Sequence, residues 1–355
     1  MADTYQKSET RRLNEKLQTL ILLLPEFALD FFIGISDTTQ IKTRIAYAYD
    51  LKIFFNYLQS NCKIFNEREN DCDFTVYDLD KVKATDIERF MQYLSSYTLV
   101  IDEKENHYSN SHSGKMRKLS SLRSFYKYYY KREFIKNNPA LLVDMPKIHE
   151  KEIIRLENDE SELLLETIED GTKLSKSQKH YHSKNKKRDL AIVSLLLGTG
   201  IRVSECVGLD IRDIDFENSS FVVTRKGGNR AILFLPDEVK EYLVDYINSD
   251  RLLNVKVNAS DSDALFISMQ NKRLTARSIE YIVKKYTQTV VPLKNISPHK
   301  FRSTFGTNLY QETGDIYLVA DVLGHKDINI TKKHYAAIDI QRRKVAAKVT
   351  KLKKK

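Results

Sequence analysis

Five short stretches of this chain hold residue types suited to work on a phosphate ester. Gly198-Thr199-Gly200-Ile201-Arg202-Val203-Ser204-Glu205 sets an arginine and a glutamate after a glycine turn, and Lys226 stands beside a second glycine turn. His299-Lys300-Phe301-Arg302, then Leu323-Gly324-His325, then Tyr335 within Lys333-His334-Tyr335-Ala336 complete the series. In-line attack on a phosphate puts negative charge on its non-bridging oxygens. A guanidinium suits that charge, because it is planar, permanently cationic and able to bond two oxygens at once. A tyrosine, with a pKa of about 10, is protonated at neutral pH. It attacks only with a proton acceptor and cations close by. His299 and Arg302 are spaced so that a helix puts them on one face. Singly each piece is ordinary, since an arginine after a turn is usually a surface charge and a tyrosine near a C-terminus usually packs. Their joint presence in one chain is what is unusual.

In this order and spacing the pieces resemble the tyrosine recombinase (phage integrase) family. Its signature is an arginine in a T-G-x-R-x-S-E block, a hairpin lysine, an H-x-x-R block, an L-G-H block and then a tyrosine. The match runs from Asp189 to Tyr335, and the helical first half is similar in layout to the family's core DNA-binding domain. The resemblance implies that Tyr335 is the nucleophile on DNA and that Arg202 and Arg302 hold the scissile phosphate. It further implies His299 as proton acceptor, Lys226 as general acid to the leaving 5′-oxygen, and His325 as a donor to a non-bridging oxygen. Glu205 would hold Arg202 or His299 in place. The phosphotyrosine ester would store the energy of the broken bond, so neither ATP nor metal is expected, and no cofactor. The implied partners are double-stranded DNA with an inverted-repeat core site and a homotetramer on two such sites. An accessory DNA-bending factor or a second recombinase is a further expected partner. Both mobile-element integration or excision and chromosome dimer resolution stay open as the purpose.

The elements that must position these residues read as mainly helical, with a small antiparallel hairpin or sheet. Ile41, Ile45, Ala48, Leu51, Phe55 and Leu58 recur at helical steps after Ser36-Asp37-Thr38-Thr39, which offers a cap. Thr85-Asp86 is the expected cap of a second helix, carrying Ile87, Phe90, Met91 and Leu94. From Ser113 to Lys131 a third helix presents Leu119, Leu122, Phe125 or Tyr126, and Tyr129 on one face. Lys115, Arg117, Lys118, Arg123 and Lys127 decorate the rest and are candidate phosphate contacts. Residues 171–188 are rich in Lys, Ser and His and read as a long exposed basic loop. His180 and His182 belong to that loop, with no cysteine near to make a zinc site. Leu190 to Leu197 form an apolar helix that stops at Gly198-Thr199-Gly200, and a new helix starts at Ile201 or Arg202. Phe221–Thr224 and Ala231–Phe234 flank Gly227-Gly228-Asn229 as a hairpin, and helices resume near Pro236. The expected organisation is an N-terminal extension (1–22), a helical core DNA-binding domain (23–145), a linker (146–157), a catalytic domain (158–339) and a basic tail (340–355). The resemblance implies that the two domains close on DNA as a C-shaped clamp and that the tail docks on a neighbouring protomer.

Composition sets the bounds. The chain has 355 residues, 41% hydrophobic and 30% charged, with net charge +10, which favours a polyanionic partner. Three cysteines, Cys62, Cys72 and Cys206, form no close pair, as expected of reduced thiols in the cytoplasm. No apolar run approaches a membrane span, and no signal-peptide pattern opens the chain. A phosphate-binding Gly-x-x-x-x-Gly-Lys-Ser/Thr loop is missing, and no carboxylate cluster for two-metal catalysis stands out. Two rival readings share the motifs: DNA relaxation of the type IB topoisomerase kind, and a non-catalytic DNA-binding regulator with the same fold.

Overall fold

The computed structural model describes residues 5–335 apart from 69, 71, 102–103, 148–153, 226–227, 253–260 and 326. Two compact units divide the chain, residues 1–150 and 151–355. Lys226, part of the expected linker and the tail 340–355 lie outside the described residues.

The first unit runs α1 (Tyr5–Ile21), α2 (Ala28–Gly34), α3 (Ile41–Asn61), α4 (Ala84–Tyr93), β1 (Tyr97–Ile101), β2 (Lys104–Tyr108) and α5 (His112–Lys131). Its core is aromatic. Phe31, Phe54, Phe55, Phe90, Phe125, Tyr126 and Tyr129 are buried, and many meet edge-to-face, as Phe31–Phe125 does at 5.1 Å between ring centres. Such pairs add about 0.5–1.5 kcal/mol each beyond burial. The apolar stripes of α3 and α5 point into this core, as their periodicity requires. Most of the stretch expected as an N-terminal extension is α1, whose Leu13, Leu17, Leu20 and Ile21 pack on the common core. The caps differ from expectation. Gln40, not the Ser36–Thr39 run, precedes α3, and α4 starts at Ala84 with Asp86 accepting from the Lys83 N–H at 2.9 Å. The β1–β2 hairpin, unanticipated in the sequence, pairs Tyr97 with Tyr108, their rings stacked at 5.6 Å.

Buried charge is paired in this unit. Asp50 receives Lys118 Nζ at 3.2 Å and both terminal nitrogens of Arg117. Arg123 spans to the carbonyls of Ala140 (3.1 Å) and Val143 (2.5 Å).

The second unit holds α6 (Asn158–Asp170), α7 (Lys176–Thr199), α8 (Val203–Val207), β3 (Ile214–Asp215), β4 (Ser220–Thr224) and β5 (Arg230–Phe234). It continues with α9 (Asp237–Tyr246), α10 (Ala276–Val290), α11 (Pro298–Thr313), α12 (Ile316–Leu323) and α13 (Ile328–Tyr335). The sheet is antiparallel in the order β3-β4-β5, with Thr224 opposite Arg230 at the hairpin end. Leu190 to Leu196 are buried all round α7, so this helix is the centre of the unit.

The basic stretch 171–188 is not an exposed loop. Ser175 and Gln178 cap each other's backbone and start α7 at Lys176. Gly171 ends α6 in the left-handed region at φ 69°, where a side chain would run into the His182 ring. His182 is buried with Nε2 2.7 Å from the Ile168 carbonyl. It is a structural histidine joining α6 to α7, while the lysines of the stretch coat the other faces.

Candidate active site

The α7–α8 turn sets the first arginine. Gly200 takes φ 63° and terminates α7, and a side chain there would strike Phe305 of α11. Arg202 then caps α8 with extended backbone. Glu205, buried, accepts from the Arg202 backbone N–H and from its Nη1, both at 2.8 Å. One carboxylate thus starts the helix and orients the guanidinium. Of the two partners expected for Glu205, the structure gives it Arg202.

Pro298 opens α11, and His299 and Arg302 follow one turn apart. Arg302 is buried, donating from Nη1 to the Gly200 carbonyl at 2.7 Å and from Nη2 to the Leu323 carbonyl. Partial burial, then the positive charges of Lys300, Arg302 and Arg202, hold the His299 imidazole below the ordinary histidine pKa. It is therefore neutral at physiological pH and able to accept a proton.

The C-terminal end of α12 ties the site together. A helix leaves its last carbonyls without helical partners, and these oxygens carry the negative end of the helix dipole. Here four consecutive carbonyls, 321 to 324, receive three guanidiniums. Arg225 reaches Asp321 (3.2 Å) and Val322 (2.8 Å), Arg302 reaches Leu323, and Arg202 makes a long contact to Gly324 (3.5 Å). Gly324 adopts φ 62°, turning the chain so that the His325 N–H returns to the Ala320 carbonyl at 2.9 Å. The His325 ring shares a 2.8 Å hydrogen bond, through Nδ1, with the hydroxyl of Thr331, a fully buried residue of α13. Tyr335 is the last residue of α13, one turn beyond Thr331.

Arg202, Glu205, His299, Arg302 and His325 are thus brought into one cluster, and α13 leads from it to Tyr335. Two contributors escaped the sequence reading. Arg225 sat unremarked beside Lys226, and Thr331 looked like any helical threonine. Their partners are distant in sequence or visible only once α12 and α13 are packed.

The profile described as "Phage integrase family" matches residues 155–342. Tyrosine recombinase XerC of Caldanaerobacter subterraneus subsp. tengcongensis is 31% identical over 92% of this chain and 86% of its own length. The chain belongs to the phage integrase family.

Tyrosine recombinase XerS of Streptococcus thermophilus is likewise 31% identical, over 89% of this chain and 93% of its own. Among solved structures, XerH recombinase bound to palindromic difH in a post-cleavage complex matches at TM-score 0.62 and 23% identity, over 86% of this chain and 78% of that one. The Tn1549 transposon integrase in complex with circular intermediate DNA matches at 0.60 and 21%, over 86% and 93%. The fold is therefore that of the two-domain tyrosine recombinases. This chain is a tyrosine recombinase, an enzyme of site-specific DNA strand exchange with a tyrosine nucleophile.

The α5 cations of this recombinase separate by environment. Lys118 is buried on Asp50, so it is no phosphate contact, and Arg123 is committed to two carbonyls that tie down the chain after α5. Lys115 donates to Ser95 Oγ at 2.6 Å, and Arg117 pairs with Asp50 while half exposed. Lys127 is exposed. Among the described residues no helix is long and apolar enough to cross a membrane.

Proposed function

We propose that the Tyr335 oxygen attacks the scissile phosphorus of a DNA strand. The P–O5′ bond breaks, and the chain becomes linked to the 3′ end as a phosphotyrosine. His299 takes the phenolic proton, and Lys226 gives a proton to the departing 5′-oxygen. Arg202 and Arg302 hold the non-bridging oxygens, with His325 as a further donor and Glu205 fixing Arg202. Attack by the free 5′-hydroxyl of a partner strand reverses the chemistry and yields a Holliday junction.

One observation supports this reading most. Arg202 and Arg302 rest on adjacent carbonyls, those of Gly324 and Leu323, immediately before His325. Donors held this way need no reorganisation as charge develops, which is the largest contribution in most such sites. The target is a core site of inverted repeats in duplex DNA, bound by a homotetramer on two sites in the cytoplasm, with an accessory DNA-bending factor or a second recombinase as a further partner. Integration or excision of a mobile element and resolution of chromosome dimers both fit this chemistry.

A nicked suicide duplex tests the assignment, because the cut strand's short product diffuses away and traps the adduct. Wild type becomes covalently linked to such DNA. Tyr335→Phe binds it with the same affinity and gives no adduct. An adduct in that variant would place the nucleophile elsewhere.

A further inference from the structure

We infer that Arg225 is a positioning residue for the protonation of the leaving 5′-oxygen, acting by fastening the β4–β5 turn to the C-terminal end of α12. The inference rests on the nucleophile and acid roles proposed above.

Arg225 follows β4 directly and precedes Lys226. Its backbone closes the turn, with the Arg225 N–H donating to the Asn229 carbonyl at 2.7 Å and its carbonyl accepting from Gly228 N–H at 3.0 Å. Its side chain leaves the hairpin altogether and donates to Asp321 and Val322, nearly a hundred residues on. The next two carbonyls are those that hold Arg302 and Arg202. Gly324 leaves room for this arrangement, because a Cβ there would collide with the Arg225 guanidinium. One short stretch, 321 to 324, is therefore the common frame for the turn that carries Lys226 and for the two arginines assigned to the phosphate.

Besides its own ladder, this hairpin end has the ion pair of Arg230 with Asp213 at 3.8 Å, an exposed contact that constrains little. A general acid must stand within hydrogen-bond reach of the atom it protonates, and a displacement of about 1 Å can cost roughly a hundredfold in rate. A guanidinium bonding two carbonyls at once resists such displacement.

The test uses two nicked suicide duplexes and the full chain. One has the ordinary 5′-oxygen at the scissile phosphate, so that P–O5′ cleavage requires a proton. The other has a 5′-bridging sulfur. There the P–S bond breaks and sulfur leaves as thiolate with the electron pair, needing no proton because its acid is far stronger, at a pKa of about 8.5. Arg225→Ala is expected to slow single-turnover adduct formation about 30- to 100-fold on the oxygen duplex, and less than about threefold on the sulfur duplex, with DNA affinity unchanged. Lys226→Ala follows the same pattern, and the double variant is no slower than Lys226→Ala. Arg225→Lys, which keeps the charge but not the two-pronged bond, shows a smaller loss with the same rescue, and it decides the matter if Arg225→Ala does not fold. Equal losses on both duplexes, or no loss on either, would overturn the inference. Wild type forming no adduct with either duplex would instead strike the nucleophile assignment beneath it.

Discussion

The cations on Asp50 and Asp78 in the first unit and those at the end of α12 in the second are held in different ways. In the first unit Lys118 and Arg117 meet the carboxylate of Asp50, and Arg68 and Lys81 meet that of Asp78. Each carboxylate there offsets one of the two cations it binds and fixes both in the fold. At the end of α12 in the second unit, Arg225 and Arg302 rest on backbone carbonyls, and Arg202 adds the single carboxylate of Glu205. Carbonyl oxygens orient a guanidinium without cancelling its charge. The positive field survives and reaches His299, whose imidazole is held below its ordinary pKa in part by Arg302 and Arg202. The carboxylate clusters at Asp50 and Asp78 stabilise the fold, whereas Arg302, oriented by carbonyls, keeps a positive field at the His299 imidazole.

Substitutions in the two settings should separate these roles. The largest effect is expected at Arg302→Ala, which should slow adduct formation by about 3–4 kcal/mol, several hundredfold or more, by analogy with a lost oxyanion donor. DNA affinity should change far less, and an equal loss of binding and cleavage would blur the distinction. Asp50→Asn comes next. It strands Lys118 and should lower unfolding stability by about 3 kcal/mol, the low end for a broken buried pair because Arg117 is half exposed. Thermal denaturation reads this, while the cleavage rate per folded molecule should hold. A selective loss of cleavage would show that the first unit's ion pair serves the chemistry.

The smallest effect concerns pH. A base whose pKa is lowered stays neutral, and so active, to lower pH than an ordinary histidine. The acid limb of single-turnover cleavage should therefore have its midpoint below 6.5, the ordinary histidine value. His299→Gln should abolish that limb. A midpoint above 6.5 would mean that the cations around His299 do not act on it as described.

Much of this was legible in the sequence. The motif blocks announced Arg202, His299, Arg302 and His325, and periodicity announced α3 and α5. The glycine turn announced β4 and β5. What was hidden depended on hydrogen-bond partners that the residue types alone do not reveal. Residues 171–188 looked like loop because the buried positions of α7's first turns are His182 and Asn185, polar side chains whose hydrogen bonds replace apolar burial. Lys118 looked like surface because Asp50, its partner, lies on another helix. Glu205 was legible as a support but not whose. Arg225 was unreadable, because nothing local tells a cation aimed at phosphate from one aimed at a helix end.

The most direct test of the central claim replaces one non-bridging oxygen of the scissile phosphate by a methyl group. The methylphosphonate lacks the charge that Arg302 is said to absorb. On suicide DNA of this kind, Arg302→Ala should form adduct at a rate within about tenfold of wild type, recovering most of the several-hundredfold deficit expected on ordinary DNA. A deficit of the same size on both substrates would contradict the account.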